Sequence, residues 1–417
     1  MQPHGSINKT VLDNGITVVS EHVDFVRSAA VGLWVEAGSR DETPENNGVA
    51  HFMEHMVFKG TENRSPFEIA NAIENFGGQI NAFTGKELTC FYARVLDDYL
   101  PDAIDVLSDI TLHPLFLPND IEREKSVVLE ELSDIEDTPS DLIHELFVDQ
   151  VFPNHPLGYN ILGTRESIQN LSADKIREFT SHYYLPERLV VSVAGHVNHD
   201  ALVKLVENSL GNMDSDITNP RTLTPPPASK TGARSHTNGQ QQSHFVTGVR
   251  TFAYDDERRF ALLVLNTILS GGMSGRLFQN IREQYGFVYS IYSFMDFYLD
   301  DGYFGVYVGT EKSRLEFMQE KVREELESLV NEQVSDAELG KVKTQVKGSI
   351  VLSLENMFNR MTRIAKQDIY YNEFQSMDEF MERVEAVTVE DLHKLAGELF
   401  RPDRFITSIL KPSNNHS

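Results

Sequence analysis

At 417 residues the chain is about twice an ordinary domain, and 40% hydrophobic with 24% charged residues is a globular balance, so disordered and low-complexity classes are excluded. Thirty-seven Lys and Arg against 63 Asp and Glu give −26 at pH 7, a charge that repels nucleic acid and anionic lipid and favours basic or neutral ligands. The single cysteine, Cys90, rules out an internal disulfide framework and any Cys-based zinc finger.

Residues 1–8 are polar and run straight into strand-like sequence, so no signal peptide is expected. No apolar stretch approaches the roughly 18–20 residues that span a bilayer. A cytoplasmic location is the expectation. Periodicity then predicts strands over 15–23 and 29–37, helices over 49–59 and 66–76, and strands over 79–84 and 89–95. Helices follow over 100–112 and 119–135. Strands and helices segregate rather than alternate, which points to an α+β class with mainly antiparallel or mixed sheet.

A repeat emerges at an offset of 216. Leu171 to Ile176 leads through a helical pattern to Pro186-Glu187-Arg188 and a strand-like run over 189–194. The offset lands on Val387 to Leu392, then Pro402-Asp403-Arg404, then a run over 405–410. Ser172 and Thr388 each sit where a helix N-cap belongs. The same offset lays Val31-Gly32-Leu33 over Thr247-Gly248-Val249. Two divergent copies of one α+β unit are expected, residues 1–211 and 244–417. Residues 212–243, with Pro225-Pro226-Pro227 at their centre, read as a tether between them. In the second copy a helix is predicted over 274–285, stopped by Gly286, and a strand over 287–294.

The sharpest local signal is His51-Phe52-Met53-Glu54-His55. Residues four apart share a helix face, so His51 and His55 can hold one metal ion, with Glu54 placed to take a proton from bound water. This is H-x-x-E-H, the inverted zinc-protease motif. Asn47 is the cap candidate and Gly60 the stop. Zinc needs a third protein ligand. At about 100° per residue, Ile121, Val128, Leu132 and Ile135 form one apolar stripe, with Glu124 and Glu131 at its edge and Glu130 on the opposite face. That phase favours Glu131 and Glu124 over Glu130, although a solvated charged helix has the same spacing.

His51 to His55, then Glu131 76 residues after His55, resembles the pitrilysin family of zinc peptidases. Within it the nearest likeness is to mitochondrial processing peptidase β-type subunits and their bacterial homologues. The likeness extends to Phe58-Lys59-Gly60-Thr61, Gly78 to Thr84, Glu122-Arg123-Glu124, His155-Pro156-Leu157-Gly158 and Gly271 to Phe278. It implies two homologous α+β domains facing each other across a chamber, with zinc (Zn2+) on His51, His55 and Glu131. Glu54 would be the base and Glu124 a supporting carboxylate. The second copy has no H-x-x-E-H, but Arg282 and Tyr289 match the family's arginine–tyrosine pair, which holds the substrate backbone and the oxyanion. Without the resemblance, Tyr289 reads as core and Arg282 as a helix-end cation. Asn81, Ala82 and Phe83 match the strand to which family members add a peptide; an ordinary edge strand is the competing reading. His155 reads as a structural turn, and Asp134 to Asp137 as a solvated helix end.

The expectation is therefore a zinc-dependent endopeptidase acting on extended peptides or unfolded segments, preferably basic ones. A homodimer is expected, with a heterodimer as the variant. The rival is a non-catalytic or partner-dependent subunit of a processing-peptidase-like pair; the intact His51, Glu54, His55 and Glu131 argue against it.

Overall fold

The computed structural model describes residues 7–214, 221, 223–239 and 241–413. The chain divides into two compact units. One comprises residues 1–133, 159–224 and 353–375, the other 134–158, 225–352 and 376–417. The units are thus not the linear segments 1–211 and 244–417, because each draws one helix from the other half of the chain.

The first unit is built on six strands: β1 (Ile7–Val11), β2 (Thr17–His22), β3 (Ser28–Val35), β4 (Gln79–Thr84), β5 (Thr89–Leu96) and β6 (Leu189–Gly195). Their order is β1-β2-β6-β3-β5-β4, antiparallel except for the parallel pair β2 and β6. β3 is apolar at almost every position because both its faces are covered. Val31, Leu33 and Val35 point into a core with Phe52, Met53, Met56 and Phe91. Ala30 and Trp34 point to the opposite face, closed by Met357, Met361, Ile364 and Ala365 of the helix Met357–Tyr371. Glu21 on β2 pins that helix, pairing with Arg360 at 2.6 Å and Arg363 at 3.3 Å. The strand-like sequence after residue 8 gives β1 no bounds, since its side chains are half-exposed, leaving no clean alternation.

The second unit repeats the plan with β7 (Gly232–Asn238), β8 (Gln242–Arg250), β9 (Val288–Phe297), β10 (Gly302–Glu311) and β11 (Ile406–Pro412). The order is β7-β11-β8-β10-β9, again with one parallel pair, β7 and β11. Here the helix Pro139–Val151 covers one sheet face, packing Ile143, Phe147 and Val151 against Val246, Tyr303 and Ile406. Each half of the chain thus lends the helix at the corresponding place in the repeat to the other half's sheet. The predicted caps hold: Ser172 accepts from the Lys175 N–H and Thr388 from the Asp391 N–H.

Two expectations need correction. Ser192 pairs with Gly32 but Ser408 pairs with Val246, so the strand overlay is displaced by two residues from Gly248. An even shift keeps every side chain on its face, and the apolar pattern cannot detect it. The tether over 212–243 is also more than a tether. Arg221 clasps Asp41 at 3.0 and 2.7 Å, Arg250 donates to the Pro226 and Pro227 carbonyls, and β7 occupies residues 232–238. β7 is an edge strand with mostly exposed side chains, so its composition is that of a linker. Among the described residues no helix is long and apolar enough to cross a membrane.

Just beyond β3, burial pushes the Glu36 carboxyl up to about 7, although Arg221 and Arg188 pull the other way. A folded pKa above the unfolded one means the folded chain keeps its proton longer, so this contribution is complete below about 4.5 and lost as pH rises through about 7. Between pH 5 and 8, Glu36→Gln should therefore flatten the stability profile by about 2 kcal/mol, measured by urea unfolding. Equal slopes in mutant and wild type would remove Glu36 as the source.

Candidate metal centre

The helix Val49–Met56 carries both histidines. It begins at Gly48, whose φ of 92° suits glycine and where a β-carbon would lie 2.6 Å from the Leu162 carbonyl oxygen. Asn47, the expected cap, does not cap: its amide donates to Glu42 at 2.8 Å and to the Asn160 carbonyl at 3.0 Å. Glu42 takes that part. Its buried carboxylate accepts from the Gly48 and Ala50 N–H groups, both at 2.8 Å, satisfying orphan donors at the positive end of the helix. Burial still pushes Glu42 up to about 7 against those donors. The helix tightens into a 3-10 turn, Val57–Lys59, and stops at Gly60 with φ 117°.

His51 and His55 lie one turn apart, their rings tilted at 59° with centroids 4.6 Å from each other. The long helix Pro118–Asp137 brings Glu131 opposite them, its Oε2 at 3.9 Å from His51 Nε2 and 3.6 Å from His55 Nε2. One ligand atom from each residue fits within a 4.8 Å group, and this is the one such cluster among the described residues. Ligands about 2.1 Å from a tetrahedral zinc lie roughly 3.4 Å apart, so the three donors fit that ion with little movement. Glu130 is exposed, as its helix phase required.

Glu124 is buried beneath this centre. Its Oε1 accepts from His55 Nδ1 at 2.8 Å, and its Oε2 pairs with Lys59 at 2.7 Å. A carboxylate only accepts, so the His55 proton belongs on Nδ1 and the Nε2 lone pair is left to bind metal. Burial holds His51 down at about 4, with His55 adding to the effect; the ring stays neutral, the form that ligates. His51 Nδ1 is buried without a hydrogen-bond partner. Glu54 ligates nothing in the group of three. Its Oε2 accepts from the Thr84 hydroxyl at 2.6 Å, and burial raises its pKa while Thr84 opposes the rise.

Thr84 ends β4, the edge strand that carries Asn81, Ala82 and Phe83. Asn81 is exposed, Ala82 buried, and Phe83 is half-buried, packing edge-on against Trp34 at 5.5 Å. Arg282 and Tyr289 belong to the second unit. Arg282 lies in a π-helical turn, Phe278–Glu283, inside the predicted helix, its guanidinium 5.0 Å from the Phe278 ring centroid. π-turns in helices favour functional positions. Tyr289, on edge strand β9, is 59% exposed and so is not core. Gly286 ends the turn at φ 67° as expected, though β9 runs on to Phe297. His155 Nδ1 accepts from the Leu157 N–H, the local turn its sequence suggested. Sequence reasoning missed Glu42, Lys59 and Thr84 as parts of the centre. Their partners lie between 6 and 65 residues away, beyond any local motif.

Two imidazoles and a carboxylate whose donor atoms lie within 4.8 Å of one another, with a second carboxylate on the same helix as the imidazoles, fit the residue set of a zinc metallopeptidase. The chain matches the family Insulinase (Peptidase family M16) over residues 17–165 and Peptidase M16 inactive domain over 170–346. It is 39% identical to the zinc protease YmxG of Bacillus subtilis, covering 98% of this chain and 99% of that one. It is 40% identical to the zinc protease SCO5738 of Streptomyces coelicolor, covering 98% and 90%. A protease from Helicobacter pylori shares the fold with a TM-score of 0.91 at 23% identity, covering 98% of this chain and all of that one. A peptidase M16 inactive domain from Pseudomonas fluorescens gives 0.90 at 18%, covering 99% of each. The chain belongs to peptidase family M16 and is a zinc-dependent protease.

Proposed function

We propose that the protein is an endopeptidase that cuts extended peptides or unfolded segments laid as an added strand along β4. The observation that carries this reading is the junction of an edge strand with the metal helix: β4 ends at Thr84, and Thr84 is bonded to Glu54. Backbone pairing along Asn81, Ala82 and Phe83 would supply affinity with little sequence preference. His51, His55 and Glu131 would hold the zinc, which would supply Lewis acidity at the scissile carbonyl. Glu54 takes the proton of the attacking water and returns it to the leaving amine. Glu124 fixes the His55 tautomer throughout. We assign Arg282 and Tyr289 to the substrate backbone and the oxyanion. The −26 charge favours basic peptides; a homodimer and a cytoplasmic location belong to the same reading.

A digest of an unstructured peptide library, followed by mass spectrometry, tests it. Internal cuts should dominate, stop with a zinc chelator and return on adding zinc. Trimming from the ends alone would overturn the endopeptidase reading. Tyr289→Phe should keep zinc and lower kcat roughly 10- to 100-fold, as loss of an oxyanion donor does; an unchanged kcat removes Tyr289 from that role.

A further inference from the structure

We propose that Thr84 is a positioning residue that clamps the Glu54 carboxylate in the orientation proton transfer needs. The proposal rests on Glu54 being the base. The terminal torsion of a glutamate is broad and roughly two-fold, so its own side chain does not choose which oxygen faces the reacting water. Something outside must choose. The Thr84 hydroxyl donates to Glu54 Oε2 at 2.6 Å, in the short range of O–H bonds to a charged oxygen. That commits Oε2, and the Thr84 backbone N–H, which also bonds this carboxylate, holds the group from the same strand end.

The clamp is stiff at both ends. Glu54 stands on the metal helix Val49–Met56, between the two histidines' turns. Thr84 stands in β4, paired with Thr89 of β5, and the Thr89 hydroxyl is itself tied to the Ala37 carbonyl at 3.0 Å. β-branching restricts the Thr84 side chain to few rotamers, so a strand delivers the hydroxyl with little freedom to lose. A hydroxyl is also the right chemistry. It is neutral and donates to a carboxylate, and it cannot compete with His51, His55 and Glu131 as an anionic ligand. Threonine rather than valine at this strand end is what packing alone leaves unexplained, since the two have nearly the same shape.

The test uses the full-length zinc-loaded enzyme, a quenched fluorogenic peptide that the wild type cuts internally, and three variants. Thr84→Val keeps shape and strand propensity but removes the hydroxyl donor; Thr84→Ser restores it; Glu54→Gln tests the base itself. Thr84→Val should lower kcat roughly 10- to 100-fold, with KM and zinc per chain unchanged, as expected for losing a hydrogen bond to a charged group. Thr84→Ser should recover to within about threefold of wild type. Crystals of the zinc-loaded Thr84→Val protein should show the Glu54 carboxyl turned from its wild-type orientation, and those of Thr84→Ser should not. The clamp is overturned if Thr84→Val keeps wild-type kcat, if Thr84→Ser is equally impaired, or if the loss lies in KM or zinc content. An active Glu54→Gln would instead sink the base assignment; an inactive Glu54→Gln beside a normal Thr84→Val sinks only the clamp.

Discussion

Glu54→Gln should keep one zinc per chain and lose about 10²- to 10⁴-fold in kcat, the range a positioned general base supplies. The amide is nearly isosteric and still accepts from the Thr84 hydroxyl through its carbonyl oxygen, so the pocket is preserved. What disappears is the capacity to take a proton. Zinc measured by atomic absorption and turnover on a quenched peptide separate the two effects. Near-normal turnover at full zinc would remove Glu54 from its role.

The second large effect is on metal rather than rate. Glu131→Gln should lose zinc by more than the roughly 10- to 100-fold that a supporting carboxylate costs, while Glu130→Gln should bind it as wild type does. Both side chains come from the same helix, one residue apart and about 100° apart around it. Only Glu131 Oε2 approaches the two imidazoles, at 3.9 and 3.6 Å; Glu130 is exposed. Competition against a colorimetric chelator measures the difference. Equal losses in the two variants would show that the third ligand is elsewhere.

The elements that position the centre were legible to within a residue or two. The strand over 79–84 is β4 as written, and the helix over 100–112 is also unchanged. The helix over 49–59 is an eight-residue α-helix continued by a 3-10 turn. These succeed because periodicity is a local property: a helix or strand with one wet face writes its period into ten consecutive residues. β1 and β7 fail by the same logic. Both are edge strands with little buried surface, and β7 was indistinguishable from the Pro- and Ser-rich segment before it. The cap of the metal helix failed for another reason. Local rules look one residue before the helix, whereas the group that satisfies its first N–H donors, Glu42, comes from six residues upstream of Gly48.

The sequence by itself pointed to the candidate ligands. His51 and His55 are one helical turn apart, and helix phase narrowed the third ligand to Glu131 or Glu124; the choice of Glu131 came from the family resemblance, and its donor atom does lie within 4.8 Å of theirs. The sequence also determined that the architecture is doubled, because the caps and turns at Ser172 and Thr388 depend only on their own neighbours. The tertiary structure decided what lies between distant segments. It placed Glu124 and Lys59 under His55, gave Glu54 its donor from Thr84, and laid Met357 and Met361 on the first sheet and Phe147 on the second. The apolar stripes of those two exchanged helices state that each must be buried, but burial is non-directional and names no partner. Which sheet each helix covers follows only from the shape and register of the faces, with the whole chain folded.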